Sequence, residues 1–170
     1  MSAISSPTQL HKTNDKWNLY YHLPTNKDWS LNSYTAIAKD IDSMEQVVKI
    51  NEIMSDSLIK NCMLFVMKKD ITPMWEDPKN RDGGCFSYKI SNKFVGDVWK
   101  SLFCLLSGNN ICVNSKHNAY INGITISPKK NFCILKIWLN VSSLQDPNII
   151  QQIPNLSTQG CLFKKHAPEF

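Results

Sequence analysis

The alternation of apolar and polar residues predicts a series of short strands along most of the chain. Trp17, Leu19 and Tyr21 recur at every second position, so they share one face of a half-buried strand over residues 17–22. Residues 34–39 have the composition of a second strand. Further strand-like segments occupy residues 62–67, 85–90, 121–127, 133–139 and 160–166. Strands this close in sequence are typical of an antiparallel sheet.

A different spacing predicts helices in three places. A capping box that begins at Ser43 precedes apolar residues at helical intervals over 44–54. An apolar stripe over 94–106 predicts a second helix. Residues 146–154 predict a third, short helix, because one proline occupies its first turn and another ends it. The polar segment 55–61 is predicted to be a connection.

The predicted hairpin over residues 121–139 determines which side chains lie together. Leu135 and Ile137 belong to an apolar face, so Lys136 and Trp138 lie on the opposite, less apolar face. Trp138 is therefore an indole that the predicted core does not account for.

Length and composition are those of one globular domain. The 170 residues are 42% hydrophobic and 19% charged. No stretch has the apolar length needed to span a bilayer, and the polar start lacks the apolar core of a signal peptide. We expect a cytoplasmic monomer without membrane contact, in the host cytoplasm if the source is a virus. We expect residues 1–14 to form a flexible arm and residues 15–170 to form a single binding domain.

Net charge and cysteine spacing limit the kinds of binding partner and metal or redox site that we expect. The 19 basic and 14 acidic residues give a net charge of +5, which is compatible with an anionic partner such as RNA. The six cysteines include no C-x-x-C pair, which disfavours zinc and thioredoxin-like sites. We therefore expect neither a metal nor a cofactor.

The loop at 71–78 presents an indole beside a carboxylate. Pro73 and Pro78 fix the backbone φ at two points, so Trp75 and Glu76 are held stiffly in a loop, where binding residues concentrate. This loop has the properties of a prepared contact surface.

Three indoles outside the predicted core suit the binding of a nucleotide. Trp29 lies in a polar loop, and with Trp75 and Trp138 it offers ring faces that stack on bases and attract cationic rings. Glu76 cannot donate a hydrogen bond, so it selects a base edge with two adjacent N–H donors, which guanine has and adenine lacks. Each residue also has an ordinary interpretation: partial burial under loops for Trp29 and Trp75, sheet packing for Trp138, and a solvated charge for Glu76.

The loop sequence resembles a known family. Residues 73–77, followed by Asn80 and by Gly83-Gly84, are similar to the signature of the eukaryotic translation initiation factor 4E family, which binds the 7-methylguanosine cap at the 5′ end of mRNA. The supporting matches are His11, Trp17, residues 27–29, residues 98–108 and residues 137–138. The resemblance runs from about His11 to Leu139, and departures from the pattern mark the chain as a divergent member.

The resemblance implies a fold and a way of holding the cap. The fold is α+β, a single domain in which a curved antiparallel β-sheet carries helices on its convex face and the ligand on its concave face. Trp29 and Trp75 would sandwich the methylated guanine, and Glu76 would accept hydrogen bonds from N1 and N2. Trp138 would touch the N7-methyl group.

The phosphate contacts depart from the family pattern. Two positions that contact phosphates in the family hold Ile134 and Cys85 here, and neither side chain can bind a phosphate. The side chains available for this role are Lys129 with the adjacent Lys130, then Lys136, Lys164 and Lys165 as replacements. Capped mRNA remains the expected ligand.

The partner-binding surface departs as well. The family uses a tryptophan on its first helix to grip partner proteins on the dorsal face, and Val48 occupies that position here. Other dorsal positions hold His11, Met44, Lys12 and Lys100. We expect binding of a scaffold initiation factor or a 4E-binding protein to be weakened, lost or redirected.

Three classes of function follow from these residues. The first is non-catalytic cap binding in translation initiation or its control. The second is a protein-interaction adaptor or competitor that keeps the fold with weak or altered cap binding. The third is an enzyme acting on nucleotides, which we disfavour because the sequence shows no catalytic triad, phosphate-binding glycine loop or metal-ligand cluster.

Overall fold

A seven-stranded antiparallel sheet forms the centre of the computed structural model, which describes residues 9–170. The strands are β1 (Lys12–His22), β2 (Thr35–Ser43), β3 (Met63–Lys68), β4 (Gly84–Ser91), β5 (Ile121–Pro128), β6 (Phe132–Leu139) and β7 (Leu162–Lys165). Their order across the sheet is β2-β1-β3-β5-β6-β4-β7, so β4 lies between two strands that follow it in sequence. The predicted α+β class with a curved antiparallel sheet is confirmed.

Three helices cover the convex face of this sheet. They are α1 (Met44–Ile53), α2 (Asp56–Asn61) and α3 (Val95–Ser107). The predicted capping box is present, because the Gln46 backbone N–H donates to Ser43 Oγ over 3.4 Å and the Ser43 N–H donates to the Gln46 side chain over 3.2 Å. α3 packs against both other helices and against β1 and β5. It is therefore the central element of the helical layer.

Side-chain alternation along the strands separates the core from the concave face. Leu19, Val66 and Ile137 are fully buried in the core cluster. Their strand neighbours, such as Phe65 and Lys136, lie on the other face. The predicted inward orientation of alternate residues in β1 and β6 is confirmed.

Three local predictions were incomplete or wrong. β1 begins at Lys12, so residues 12–14 belong to the sheet rather than to a flexible arm, while residues 1–8 lie outside the described part of the chain. The predicted connection at 55–61 contains α2, which buries Ile59 completely. The predicted third helix is only a three-residue 3-10 turn, Pro147–Ile149.

Within residues 9–170, no helix combines the length and the apolarity needed to cross a bilayer.

The double glycine at the start of β4 allows this strand to pass close to its neighbours. A Cβ atom on Gly83 would lie 1.9 Å from the Leu139 carbonyl oxygen, and one on Gly84 would lie 2.4 Å from the Phe163 ring. Both approaches are shorter than any van der Waals contact. The pairing of β4 with β6 and β7 therefore requires glycine at these two positions.

Candidate functional site

A cavity of about 680 Å³ opens on the concave face of the sheet. Aromatic and charged side chains line it, including Trp29, Tyr34, Trp75, Glu76, Lys136 and Trp138. Five of these six were predicted from the sequence as site residues. Tyr34 was not. A second cavity, of about 710 Å³, lies among polar residues of mixed charge at the end of β3 and holds none of the predicted site residues.

Trp29 is presented by the loop after β1 and is supported from behind by His22. The two rings are parallel, with centroids 4.1 Å apart, and the indole remains 48% exposed. The His22 ring nitrogens lie 2.9 and 2.7 Å from the carbonyl oxygens of Leu23 and Asp28, which fix the imidazole. His22 was not predicted as a site residue, although alternation along β1 places it on the face of the strand opposite to Tyr21. The indole therefore has one covered face and is half exposed to solvent.

The loop that carries Trp75 and Glu76 is held by two buried polar side chains. Asp77 Oδ2 accepts from the Thr72 backbone N–H (2.7 Å) and from the Thr72 hydroxyl (2.9 Å). Asn80 Nδ2 donates to the carbonyl oxygens of Thr72 (3.0 Å) and Met74 (2.8 Å). Buried polar groups of this kind are costly to leave unpaired, so these hydrogen bonds hold the loop in one conformation. They therefore reinforce the stiffness that the two prolines predict.

His166 supports Trp75 as His22 supports Trp29. The two rings are nearly parallel, 18° apart, with centroids separated by 5.6 Å. His166 Nδ1 lies 2.6 Å from the Asn80 carbonyl oxygen. Burial lowers the pKa of this imidazole, and the positive charge of Lys136 adds to the effect. The sequence placed His166 only at the end of a basic tail, and no local signal distinguishes it there.

Trp138 forms the floor of the cavity. It lies on the predicted face, but it is only 5% exposed, because it packs with Met67, Ile71 and Cys85 in a small second cluster. Its Nε1 donates to the Thr125 hydroxyl over 3.2 Å. The prediction that no core accounts for this indole was therefore wrong.

Glu76 lies close to Tyr34 and to the last residues of the chain. Burial raises the pKa of Tyr34 to about 12, with a contribution from the negative charge of Glu76. The Glu169 backbone N–H donates to Glu76 Oε1 over 3.4 Å, and Arg81 Nη2 lies 3.4 Å from the Phe170 oxygen. Residues 169–170 thus line the cavity beside the Glu76 carboxylate.

The predicted lysines divide into three groups. Lys136 Nζ lies 5.9 Å and Lys164 Nζ lies 5.3 Å from the centroid of the Trp75 ring. Lys129 and Lys130 are exposed in the β5–β6 turn and are not among the described residues that line the cavity. Lys165 is in register with Gly84, one residue from Lys164, so it points to the opposite face of the sheet. Only Lys136 and Lys164 are beside the indole.

The residues predicted for partner binding lie on the helical side, away from the cavity. They are His11, Met44, Val48 and Lys100. Val48 is 48% exposed on α1. His11 Nδ1 lies 2.6 Å from Glu45 Oε1, and Lys100 Nζ lies 3.8 Å from Asp56 Oδ1. This surface therefore presents a small aliphatic side chain among charged pairs.

Fold and lining together identify the kind of protein. A curved antiparallel sheet with helices on its convex face and an indole-lined cavity on its concave face is the architecture of the initiation factor 4E fold. The chain belongs to the eukaryotic initiation factor 4E family, whose sequence model matches residues 12–166. The resemblance noted for residues 73–77 is confirmed.

Individual relatives agree with the family. Eukaryotic translation initiation factor 4E of Eremothecium gossypii is 27% identical over 164 residues, which cover 91% of this chain and 70% of that protein. A homologue of the factor from Acanthamoeba polyphaga mimivirus is 37% identical over 87 residues, or 51% of this chain, and the match spans only 29% of the mimivirus protein. The solved structure of the Schistosome factor, complexed with m7GpppG and a 4E-binding protein, has a TM-score of 0.70 at 25% identity and covers 79% of this chain and 75% of that chain.

Proposed function

We propose that this chain binds the 7-methylguanosine cap of mRNA reversibly, in translation initiation or its control. One observation carries the proposal: two loops and a strand bring Trp29, Trp75, Glu76 and Trp138 to a single cavity. The Schistosome relative, which shares the fold, was solved with a cap dinucleotide bound. The described residues contain no cluster of three or more His, Cys, Asp or Glu side chains suited to a metal ion. We assign no chemical step to the site.

Stacking supplies the main binding energy in this proposal. Trp29 and Trp75 are each backed by a histidine ring, so the indoles are supported when a base enters between them. A base stacked on an aromatic ring typically gains about 1–3 kcal/mol. The methylated guanine is cationic, and the negative face of the indole attracts it more strongly than neutral guanine. The site therefore prefers 7-methylguanine to guanine.

Glu76 and Trp138 orient the base. The Glu76 carboxylate accepts from the N1 and N2 groups of guanine, and a charge-assisted hydrogen bond of this kind contributes roughly 1.5–3 kcal/mol. Tyr34, with its raised pKa, stays protonated and adds no second negative charge beside Glu76. Trp138 provides the apolar floor against which the N7-methyl group rests.

Lys136 and Lys164 are assigned to the phosphates nearest the base. Both ammonium groups lie over the Trp75 ring, within 6 Å of its centroid, so they are the nearest of the predicted lysines to a base stacked there. Lys129 and Lys130, at the exposed turn, are left for a more distant phosphate.

Protein partners belong to the helical side in this proposal. A scaffold initiation factor or a 4E-binding protein that docks there would meet Val48 rather than a large aromatic ring, together with the ion pair of Lys100. Large aromatic residues supply much of the energy at protein interfaces, so we propose weakened or redirected partner binding.

Titration of tryptophan fluorescence with 7-methyl-GTP and with GTP tests the binding function. We expect strong quenching by the first nucleotide and weak quenching by the second. Trp29→Ala and Trp75→Ala should each weaken 7-methyl-GTP binding roughly 5- to 100-fold, and Glu76→Gln roughly tenfold. Leu31→Ala is the matched control, because Leu31 is 52% exposed near Trp29 but does not line the cavity.

The same titration separates the second candidate, an adaptor that keeps the fold without the ligand. That candidate is favoured by residues 169–170, which line the cavity and already contact the Glu76 carboxylate. Negligible quenching by both nucleotides would support the adaptor and contradict cap binding. Wild-type affinity in Trp29→Ala or Trp75→Ala would contradict the sandwich even if the nucleotide binds.

A further inference from the structure

The concave face of the sheet continues past the cavity across β6, β4 and β7. The register pairs Lys136 with Ser87 and Lys164 with Cys85, and Cys85 packs against the floor of the cavity. Lys89 follows at the next alternate position of β4, so it lies on the same face. We call Lys164, Lys136 and Lys89 the lysine track.

The charge of this part of the sheet has one sign only. β4, β5, β6 and β7 contain four lysines and no aspartate or glutamate. Lys165 points to the helical face, and the remaining three form the lysine track. The salt bridges found within residues 9–170 all involve other basic side chains. The track is therefore a strip of lysines that form no salt bridge within the described residues, which favours an anionic polymer.

Aromatic rings hold each ammonium group of the track. Lys89 Nζ lies 4.4 Å from the centroid of the Phe132 ring, and the other two lie over Trp75. Leu162 lies on the same face and is 70% exposed, so it offers an apolar surface next to the charges. Alternate residues along a strand are about 6.8 Å apart, a spacing of the same order as that between neighbouring phosphates in single-stranded RNA.

We propose that the lysine track binds the phosphates of the first nucleotides of a single-stranded RNA that continues from the base in the cavity. The proposal rests on the proposed function for its starting point. Lys164 and Lys136 meet the phosphates beside Trp75, Lys89 meets a phosphate farther along, and Leu162 packs against an intervening base. An RNA fits better than an acidic peptide, because the track begins at a cavity suited to a nucleotide base.

Three ligands and two variants test the track. The ligands are 7-methyl-GTP, a capped pentanucleotide and the same pentanucleotide without a cap, each titrated at several salt concentrations. The variant is Lys89→Ala, and the control is Lys165→Ala, an exposed lysine that faces the other side of the sheet. We expect Lys89→Ala to leave 7-methyl-GTP affinity unchanged, to weaken the capped pentanucleotide roughly fivefold and to reduce its log–log salt slope by about 0.7.

The outcomes separate the track from the cap site. Equal affinity of the wild type for 7-methyl-GTP and the capped pentanucleotide, or equal losses in Lys89→Ala and Lys165→Ala, would overturn the track. If the wild type failed to bind 7-methyl-GTP, the proposed function would be contradicted. The uncapped pentanucleotide would then test the lysine track independently of the cap site. Weaker binding of that RNA by Lys89→Ala than by Lys165→Ala supports the track, and equal binding refutes it.

Discussion

At the scale of single residues, His166 is the support on which the position of Trp75 depends. The imidazole stacks on the indole and is fixed by the carbonyl of Asn80. It also contacts Trp138, with ring centroids 4.9 Å apart. A neutral ring suits this place, because a charged one would be buried next to Lys136.

The lowered pKa of His166 predicts a pH dependence of stability. Below the ordinary value of about 6.5 the unfolded chain binds a proton that the folded protein resists, so stability is lost as the pH falls through the folded-state pKa. We expect the free energy of unfolding, measured by urea denaturation, to decline between pH 7 and pH 5 more steeply in the wild type than in His166→Gln. His117→Gln is the control, because His117 forms no salt bridge within residues 9–170. Parallel declines in the wild type and His166→Gln would contradict this account.

Some site residues can be recognised from their local sequence, and others only from their contacts in the fold. Trp29, Trp75 and Glu76 stand in loops without apolar periodicity, so the sequence singles them out. His22 and His166 act only through rings brought to them by the fold, and Trp138 is buried by a cluster whose other members lie on β3, on β4 and in the loop between them. Tertiary contacts of this kind leave no spacing pattern in the sequence.

At the scale of elements, the pairing of β7 with β4 depends on Gly84. An added methyl group at Gly84 would meet the Phe163 ring at 2.4 Å and the Lys164 carbonyl oxygen at 2.8 Å. We expect Gly84→Ala to displace β7, to lower the free energy of unfolding by about 1–3 kcal/mol and to weaken 7-methyl-GTP binding. Urea denaturation and fluorescence titration measure the two effects.

A neighbouring position provides the comparison for Gly84. Ser87 lies on the same strand with its side chain on the concave face, and Ser87→Ala should change stability by less than about 0.5 kcal/mol. Wild-type stability and binding in Gly84→Ala would show that β7 adjusts without loss, contrary to the close approach described here.

Helices and strands were predictable where one local signal dominates. The capping box at Ser43 and the alternation in the β5–β6 hairpin both operate within a few residues, and both predictions are confirmed. α2 was missed because Ile59 is the only fully buried residue in its six, which is too short for a period to show. The predicted helix at 146–154 is reduced to a 3-10 turn, since one proline start does not sustain a helix.

At the scale of the whole molecule, the segment 167–170 brings Glu169 and Phe170 into the lining of the cavity that the rest of the chain forms. A nucleotide that uses both oxygens of Glu76 competes with the Glu169 backbone N–H, which donates to Oε1. We expect deletion of residues 167–170, which leaves His166 in place, to tighten 7-methyl-GTP binding about threefold, because one exposed hydrogen bond no longer competes. Isothermal titration calorimetry measures the change.

Arg81→Ala is the companion variant for this deletion. It removes the contact with the Phe170 oxygen while the segment stays in the chain, and it should shift affinity in the same direction by a smaller factor. Weaker binding after the deletion would mean that residues 167–170 help to form the site rather than obstruct it.

The placement of β4 between β6 and β7 also sets the order of events during synthesis. β4 ends at Ser91, but its partner strands begin at Phe132 and Leu162. β4 therefore stays unpaired while about 40 to 70 further residues are synthesised, which takes several seconds at ordinary rates of elongation. Trp75 has no stacking partner until His166 has left the ribosome. A nascent chain therefore acquires its binding site only after β7 and His166 have been synthesised, and ribosome-bound fragments that stop short of β7 expose β4 as an unpaired edge.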